Sequence, residues 1–203
     1  VKNTRKNMSV KFNIMNFSKP DSLFNYGMKI SVYSQKKAAE ENGVGWYKGG
    51  ERVSYYANGI KKDVAYYSKG YFTASFDYKF SHDDDTVYFA YATPYTYSDL
   101  LQDIYDIESD TARRAICQRK TLCKSLAGVD CEMLTITEKG DFETMRKKRA
   151  IIISARVHPG EVVGSWMMRG ALFFLTDPES TEAKLLRERF IFKIIPMLNP
   201  DGV

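Results

Sequence analysis

His158 and Glu161, three residues apart in Ala155-Arg156-Val157-His158-Pro159-Gly160-Glu161, are the side chains whose types and spacing best suit chemistry. A neutral imidazole and an ionised carboxylate are two of the three protein ligands of a catalytic zinc, whose fourth position stays open to water. The spacing alone is a weak signal, because His-x-x-Glu recurs by chance, and it is the flanking sequence that strengthens it. The only other histidine, His82, lies in Ser81-His82-Asp83-Asp84-Asp85, which reads as a solvated hairpin tip outside any zinc site.

The elements around the pair are expected to aim it. Ile151-Ile152-Ile153 fits a fully buried central strand of an α/β sheet. A residue before proline is pushed towards extended backbone, and Pro159 fits the first turn of a helix. His158 is therefore expected at a strand exit, where open α/β sheets gather their ligands. Glu161 is expected in the first helical turn, where the macrodipole favours its carboxylate form. Beyond the pair, Val163, Met167, Gly170 and Phe174 can share a helical face expected to be core, with Gly164, Gly170 and Ala171 allowing close approach to the sheet. Thr176-Asp177-Pro178 interrupts that pattern, and Ser180 to Arg189 reads as a second helix with Ser180 as a cap. A second apolar strand, Phe190 to Ile195, then runs into the turn-forming Asn199-Pro200-Asp201-Gly202. Strand, helix, helix, strand gives this half α/β character.

The combination of Ala155–Glu161 with Trp166-Met167-Met168 and Pro196-Met197-Leu198-Asn199-Pro200-Asp201-Gly202-Val203 closely resembles the cytosolic carboxypeptidases, a branch of the zinc metallocarboxypeptidases. The resemblance is strong from Tyr95 onward and looser before it. It implies Zn2+ held by a two-histidine, one-glutamate set, with His158 and Glu161 as the two metal ligands in this chain. The implied reaction is hydrolysis of a C-terminal peptide bond, the zinc polarising the scissile carbonyl and drawing the pKa of a water towards about 7. In that family the second zinc histidine, the general-base glutamate, the oxyanion arginine and the grip on the substrate carboxylate follow the Asn-Pro-Asp-Gly turn. No catalytic residue is accordingly expected up to Val203, and the chain alone is expected to be inactive with weak metal affinity. The absence of an initiating methionine and the strand-like start also suggest a piece of a longer polypeptide. The implied partner is a polypeptide carrying C-terminal or side-chain-linked glutamates, such as tubulin, a preference that no residue of this sequence reads directly. Two other readings stand beside it: a non-catalytic interaction module with a degenerate α/β part, and an amidohydrolase or deacylase on the same scaffold.

Composition narrows the field. The chain has 203 residues, 44% of them hydrophobic and 27% charged, which is globular and leaves room for one or two domains. No apolar run approaches the roughly 20 residues that span a bilayer, and no signal-peptide core follows the N-terminus, so a cytoplasmic protein without membrane partners is expected. Cys117, Cys123 and Cys131 are odd in number and match no C-x-x-C spacing, which favours free thiols in a reducing compartment. The net charge of +5 comes from scattered residues with no basic stripe, arguing against nucleic acid even with 14 tyrosines present.

Ahead of the α/β half the pattern is β-rich. Val10 to Phe17 and Met28 to Val32 alternate, Lys36 to Glu41 suggests a short helix closed by Asn42-Gly43, and Val53 to Tyr56 with Val64 to Tyr67 suggests a hairpin. Phe72, Ala74, Phe76, Tyr78 and Phe80 alternate most clearly, and Thr86 to Ala92 is expected to be the adjacent antiparallel strand. Thr93-Pro94-Tyr95 marks a change of composition, Thr96-Tyr97-Ser98-Asp99 reads as a helix start, and Met145 to Arg149 reads as a charged loop. The expected fold class is two-domain: an N-terminal antiparallel β-sandwich over 1–93, incomplete at its start, then over 94–203 the incomplete first part of an α/β zinc-carboxypeptidase domain with a mixed sheet.

Overall fold

Period-two alternation of large apolar residues governs the strands before Thr93, and helical spacing enters after Thr96. The computed structural model describes residues 1–41, 44–61 and 70–203. These divide into two units, Val1–Thr93 and Pro94–Val203.

The first unit holds β1 (Ser9–Phe17), β2 (Ile30–Ser34), α1 (Gln35–Glu40), β3 (Tyr47–Gly49), β4 (Glu51–Ala57), β5 (Phe72–Lys79) and β6 (Val87–Ala90). They form two antiparallel three-stranded sheets, β1-β5-β4 and β3-β2-β6. One apolar cluster, including Phe24, Val32, Phe76, Tyr78 and Val87, draws on both sheets. Within it Phe12 stacks on Phe76 at 5.2 Å between centroids and meets Phe89 at 4.9 Å. β5 is buried along almost its whole length because it is the middle strand of its sheet.

Two expectations fail here. β5 and β6 are not neighbours: they belong to different sheets, since alternation reports which side of a strand is buried and not which strand lies beside it. The turn between them is also only partly solvated. Asp85 is 2% exposed and accepts from the Ser34 hydroxyl and, at 3.0 Å, from the Lys36 amide, while the His82 ring pairs with Glu40 at 2.9 Å. The expected closing residues Asn42-Gly43 and the Val64–Tyr67 half of the proposed hairpin lie outside the described residues.

The second unit opens with α2 (Tyr97–Ser109), started as its sequence suggests: the Thr96 hydroxyl accepts from the Asp99 amide at 3.2 Å and the Asp99 carboxylate accepts from the Thr96 amide at 2.7 Å. α3 (Thr111–Ile116), β7 (Cys117–Lys124), β8 (Asp130–Ile136), α4 (Phe142–Lys147), β9 (Arg149–Ser154), α5 (Val163–Leu175), α6 (Thr181–Arg189) and β10 (Phe190–Ile195) follow. Most of the expected charged loop before β9 is thus the end of α4, begun by the Asp141 carboxylate accepting from the Thr144 amide at 2.8 Å. The sheet order is β7-β8-β10-β9, with β10 antiparallel to β8 and parallel to β9, so the sheet is mixed. Leu100, Ile104, Ile107, Leu134, Leu172 and Ile194, each 0% exposed, form the centre of its core.

Two further corrections concern the segments flanking the His-x-x-Glu pair. β9 is an edge strand among the described residues, pairing with β10 alone, and Ile152 is 72% exposed rather than central and buried. α5 faces the core with Ser165, Met168, Leu172 and Leu175, whereas Val163, Met167 and Phe174 are exposed. An almost continuously apolar helix has no polar face to mark its orientation, so its sequence left the buried side open. Gly170 has open space where a Cβ would stand, whereas Gly164 lies over the sheet's exit, 3.8 Å from the Ala155 Cβ.

Candidate metal centre

The loop leaving β9 is shaped by Arg156. Its backbone is left-handed (φ 59°), an uncommon conformation for a residue with a side chain, and its side chain is 6% exposed. The guanidinium donates through Nε to the Pro159 carbonyl at 2.8 Å, and through Nη1 to the Tyr95 carbonyl at 3.0 Å and the Ser165 hydroxyl at 2.8 Å. Burial draws its pKa below the ordinary arginine value, with Tyr95 opposing the shift. These bonds join the loop to the start of the second unit and to the first turn of α5. Tyr95 is itself anchored, its hydroxyl donating to Asp103 at 2.7 Å and its ring meeting Trp166 edge-on at 5.3 Å. Burial and that carboxylate hold the Tyr95 phenol well above its usual range. Asp103 in turn pairs with Arg169 at 3.0 Å.

On that support His158, Pro159, Gly160 and Glu161 form a tight turn, closed by the Glu161 amide donating to the His158 carbonyl at 3.1 Å. The pair thus occupies the first and last positions of one four-residue turn, both side chains exposed. Glu161 does not lie in the first turn of α5, as its spacing suggested. The helix begins at Val163, and the Glu161 carbonyl only accepts from the Gly164 amide at 3.3 Å. Pro159-Gly160 closes a turn in preference to opening a helix, because Arg156 has claimed the Pro159 carbonyl.

The loop after β10 completes the support. Ala155 donates to the Ile195 carbonyl at 3.0 Å, Leu198 to the Ala155 carbonyl at 2.9 Å, and Asn199 to the Arg156 carbonyl at 3.2 Å, carrying the β9–β10 pairing beyond the strands. The Asn199 side chain donates to the Val157 carbonyl at 3.3 Å and accepts from the Gly202 amide at 3.1 Å. Gly202 packs against Pro159: a Cβ there would stand 2.7 Å from the proline Cγ. Asp201 reaches the β7–β8 hairpin, accepting from the Ser125 hydroxyl and, at 3.0 Å, from the Ala127 amide.

The donor set fits part of a zinc site. An imidazole and a carboxylate share one turn, and among the described residues neither side chain enters a hydrogen bond or ion pair. Among those residues no group of three or more His, Cys, Asp or Glu is placed to hold a metal. Sequence reasoning singled out His158 and Glu161, which the fold brings to the two ends of one turn, but missed Arg156 and Asn199 as the residues that shape that turn. The signal for Asn199 was its place in a turn beside a strand end; a buried arginine bonded only to neutral oxygens leaves no such mark.

Comparison with known proteins agrees with this architecture. Residues 104–203 match the zinc carboxypeptidase family. The fold superposes on a putative carboxypeptidase A from Shewanella denitrificans with a TM-score of 0.71 at 22% identity, covering 99% of this chain and 45% of that one. A metallo-carboxypeptidase from Burkholderia cenocepacia superposes with a TM-score of 0.68 at 19% identity, covering 97% and 45%. Residues 104–203 thus belong to the zinc carboxypeptidase family. Over its whole length the chain is similar to the cytosolic carboxypeptidases, being 47% identical to cytosolic carboxypeptidase 2 of Xenopus tropicalis and 42% identical to cytosolic carboxypeptidase 3 of Mus musculus. It spans 20% of the length of each of these relatives. No described helix is long and apolar enough to cross a membrane.

Proposed function

We propose that this chain is part of a zinc-dependent metallocarboxypeptidase in which His158 and Glu161 are two of the protein ligands of Zn2+. The single observation that carries the reading is their placement at the two ends of one turn, closed by the 3.1 Å Glu161–His158 backbone bond where a sheet strand gives way to a helix. Zinc bound there would supply Lewis acidity to a scissile carbonyl and to a water. The chain's own residues orient the ligands: Arg156 fixes the carbonyl of Pro159, between the two ligands, and Asn199 fixes the carbonyl of Val157 just before His158. Residues 1–93 are read as a β-sandwich domain and 94–203 as the opening of the carboxypeptidase domain.

The substrate is a polypeptide from which C-terminal residues are hydrolysed, with glutamates on acidic tails such as those of tubulin as the preferred class and the cytoplasm as the compartment. The cytosolic carboxypeptidase name of the relatives supports the carboxypeptidase reaction and the compartment, while the glutamate preference rests on the family resemblance alone. The chain by itself is inactive and binds metal weakly, because two ligands leave the shell incomplete. The test uses a longer chain that includes the sequence following Val203, assayed for glutamate release from a polyglutamylated peptide with and without chelator. Chelator-sensitive release, lost in His158→Ala and Glu161→Gln, is expected. Release indifferent to chelation rejects the zinc mechanism; no release, together with no zinc uptake, favours the interaction-module reading.

A further inference from the structure

Cys117, Cys123 and Cys131 are free thiols, and two of them stand opposite each other. Across β7 and β8 the register runs from Cys117↔Ile136 to Thr121↔Glu132, then shifts so that Cys123 faces Cys131. The shift is a one-residue bulge at Leu122; an unbroken register would set Leu122 opposite Cys131 instead. Directly opposed residues of antiparallel strands keep their Cα atoms about 4.5–5.5 Å apart, inside the roughly 4.4–6.8 Å window of a disulfide. The hairpin is closed just beyond the pair, by the Ser125 amide donating to the Val129 carbonyl at 2.8 Å and by Lys124 meeting Asp130 at 2.8 Å. The two cysteines differ in access, Cys123 being exposed and Cys131 only 2% exposed. Burial pushes the Cys131 thiol above its ordinary pKa, with the neighbouring Cys123 adding to the effect.

We propose that Cys123 and Cys131 form a reversible cross-strand disulfide, with a low-molecular-weight disulfide such as oxidised glutathione as the oxidant. The Cys123 thiolate attacks one glutathione sulfur, the glutathione S–S bond breaks, and one glutathione leaves as its thiolate. The deprotonated Cys131 then attacks the Cys123 sulfur of the mixed disulfide and the second glutathione leaves. Two protein thiols are oxidised, one oxidant molecule is reduced to two glutathiones, and the two protein protons pass through solvent to the leaving thiolates. The exposed sulfur meets the oxidant and the covered one resolves the adduct. Cys117 faces Ile136 and has no thiol opposite it. Closure removes the hydrogen that the Cys131 Sγ donates to the Met197 carbonyl at 3.5 Å, directly ahead of the loop that supports His158.

The experiment exposes the folded chain to oxidised glutathione, quenches with acid, alkylates the remaining thiols and maps tryptic peptides by mass spectrometry. The expected product joins Thr121–Lys124 to Ser125–Lys139 with the loss of two hydrogens, leaves Cys117 alkylated, and reverts to three free thiols with dithiothreitol. In Cys131→Ser the reaction is expected to stop at a glutathione adduct on Cys123. The linkage is expected to form faster in the folded chain than in guanidinium. A persistent glutathione adduct on Cys123 in the parent chain overturns the proposal. So does linkage to Cys117 in equal yield, or equal rates with and without denaturant.

Discussion

Strands β9 and β10 run parallel and end side by side, yet the loops they feed use their polar side chains in opposite ways. In the loop after β10, Asn199 and Asp201 are committed to backbone amides and carbonyls of neighbouring segments, and Gly202 seats against Pro159. In the loop after β9, His158 and Glu161 are exposed and enter no such bonds among the described residues. Only Arg156, two residues ahead of His158, is committed, and it is buried. The difference separates residues that shape the loops from residues whose side chains are left uncommitted, as the proposed metal ligation requires. It predicts that loss of a shaping residue lowers stability, whereas loss of His158 or Glu161 lowers metal binding alone.

Arg156→Met tests that division most severely. It strands the carbonyls of Tyr95 and Pro159 and the Ser165 hydroxyl, and each unsatisfied buried group costs about 1–3 kcal/mol. A loss of about 3 kcal/mol is expected in chemical denaturation, and a loss below ~1 kcal/mol would show that Arg156 does not hold the loop. Gly202→Ala comes next. Its new Cβ falls within 3 Å of both the Cγ and Cβ of a rigid proline ring, and such overpacking costs about 1–3 kcal/mol. Weaker zinc binding should accompany it in calorimetry although no ligand is altered, and unchanged zinc affinity would uncouple the two loops. Asn199→Ala removes one donated and one accepted bond and is expected to cost about 1 kcal/mol, with faster amide exchange at Gly202 as its local sign. His158→Ala should change stability by no more than about 0.5 kcal/mol, the usual range for an exposed side chain, while removing a proposed zinc ligand. A large stability loss there would mean that His158 serves the fold.

The legibility of the chain follows the range of the interactions involved. Thr96 and Asp99 form their capping box, and Ser180 accepts from the Ala183 amide at 3.2 Å, because a cap depends only on residues within one turn. The pairing of β5 with β1 and β4 and not with β6 was not legible, since several strands in the first half carry the same alternation and none specifies its neighbour. The buried face of α5 was hidden for a similar reason, as Met167 and Met168 are equally apolar and only the sheet beneath distinguishes them.

The sequence by itself determined the local chemistry: an imidazole and a carboxylate three residues apart around Pro-Gly, after an isoleucine strand, with a second strand ending in Asn-Pro-Asp-Gly. Only the tertiary structure decided that these two segments are neighbours, that Arg156 turns inward to bind three oxygens, and that Glu161 lies before α5 instead of within it. The physical reason is that a backbone carbonyl or amide carries no side-chain signature. Which of them a buried arginine or asparagine will bond is settled when parallel pairing of β9 with β10 brings Pro159 and Gly202 into contact.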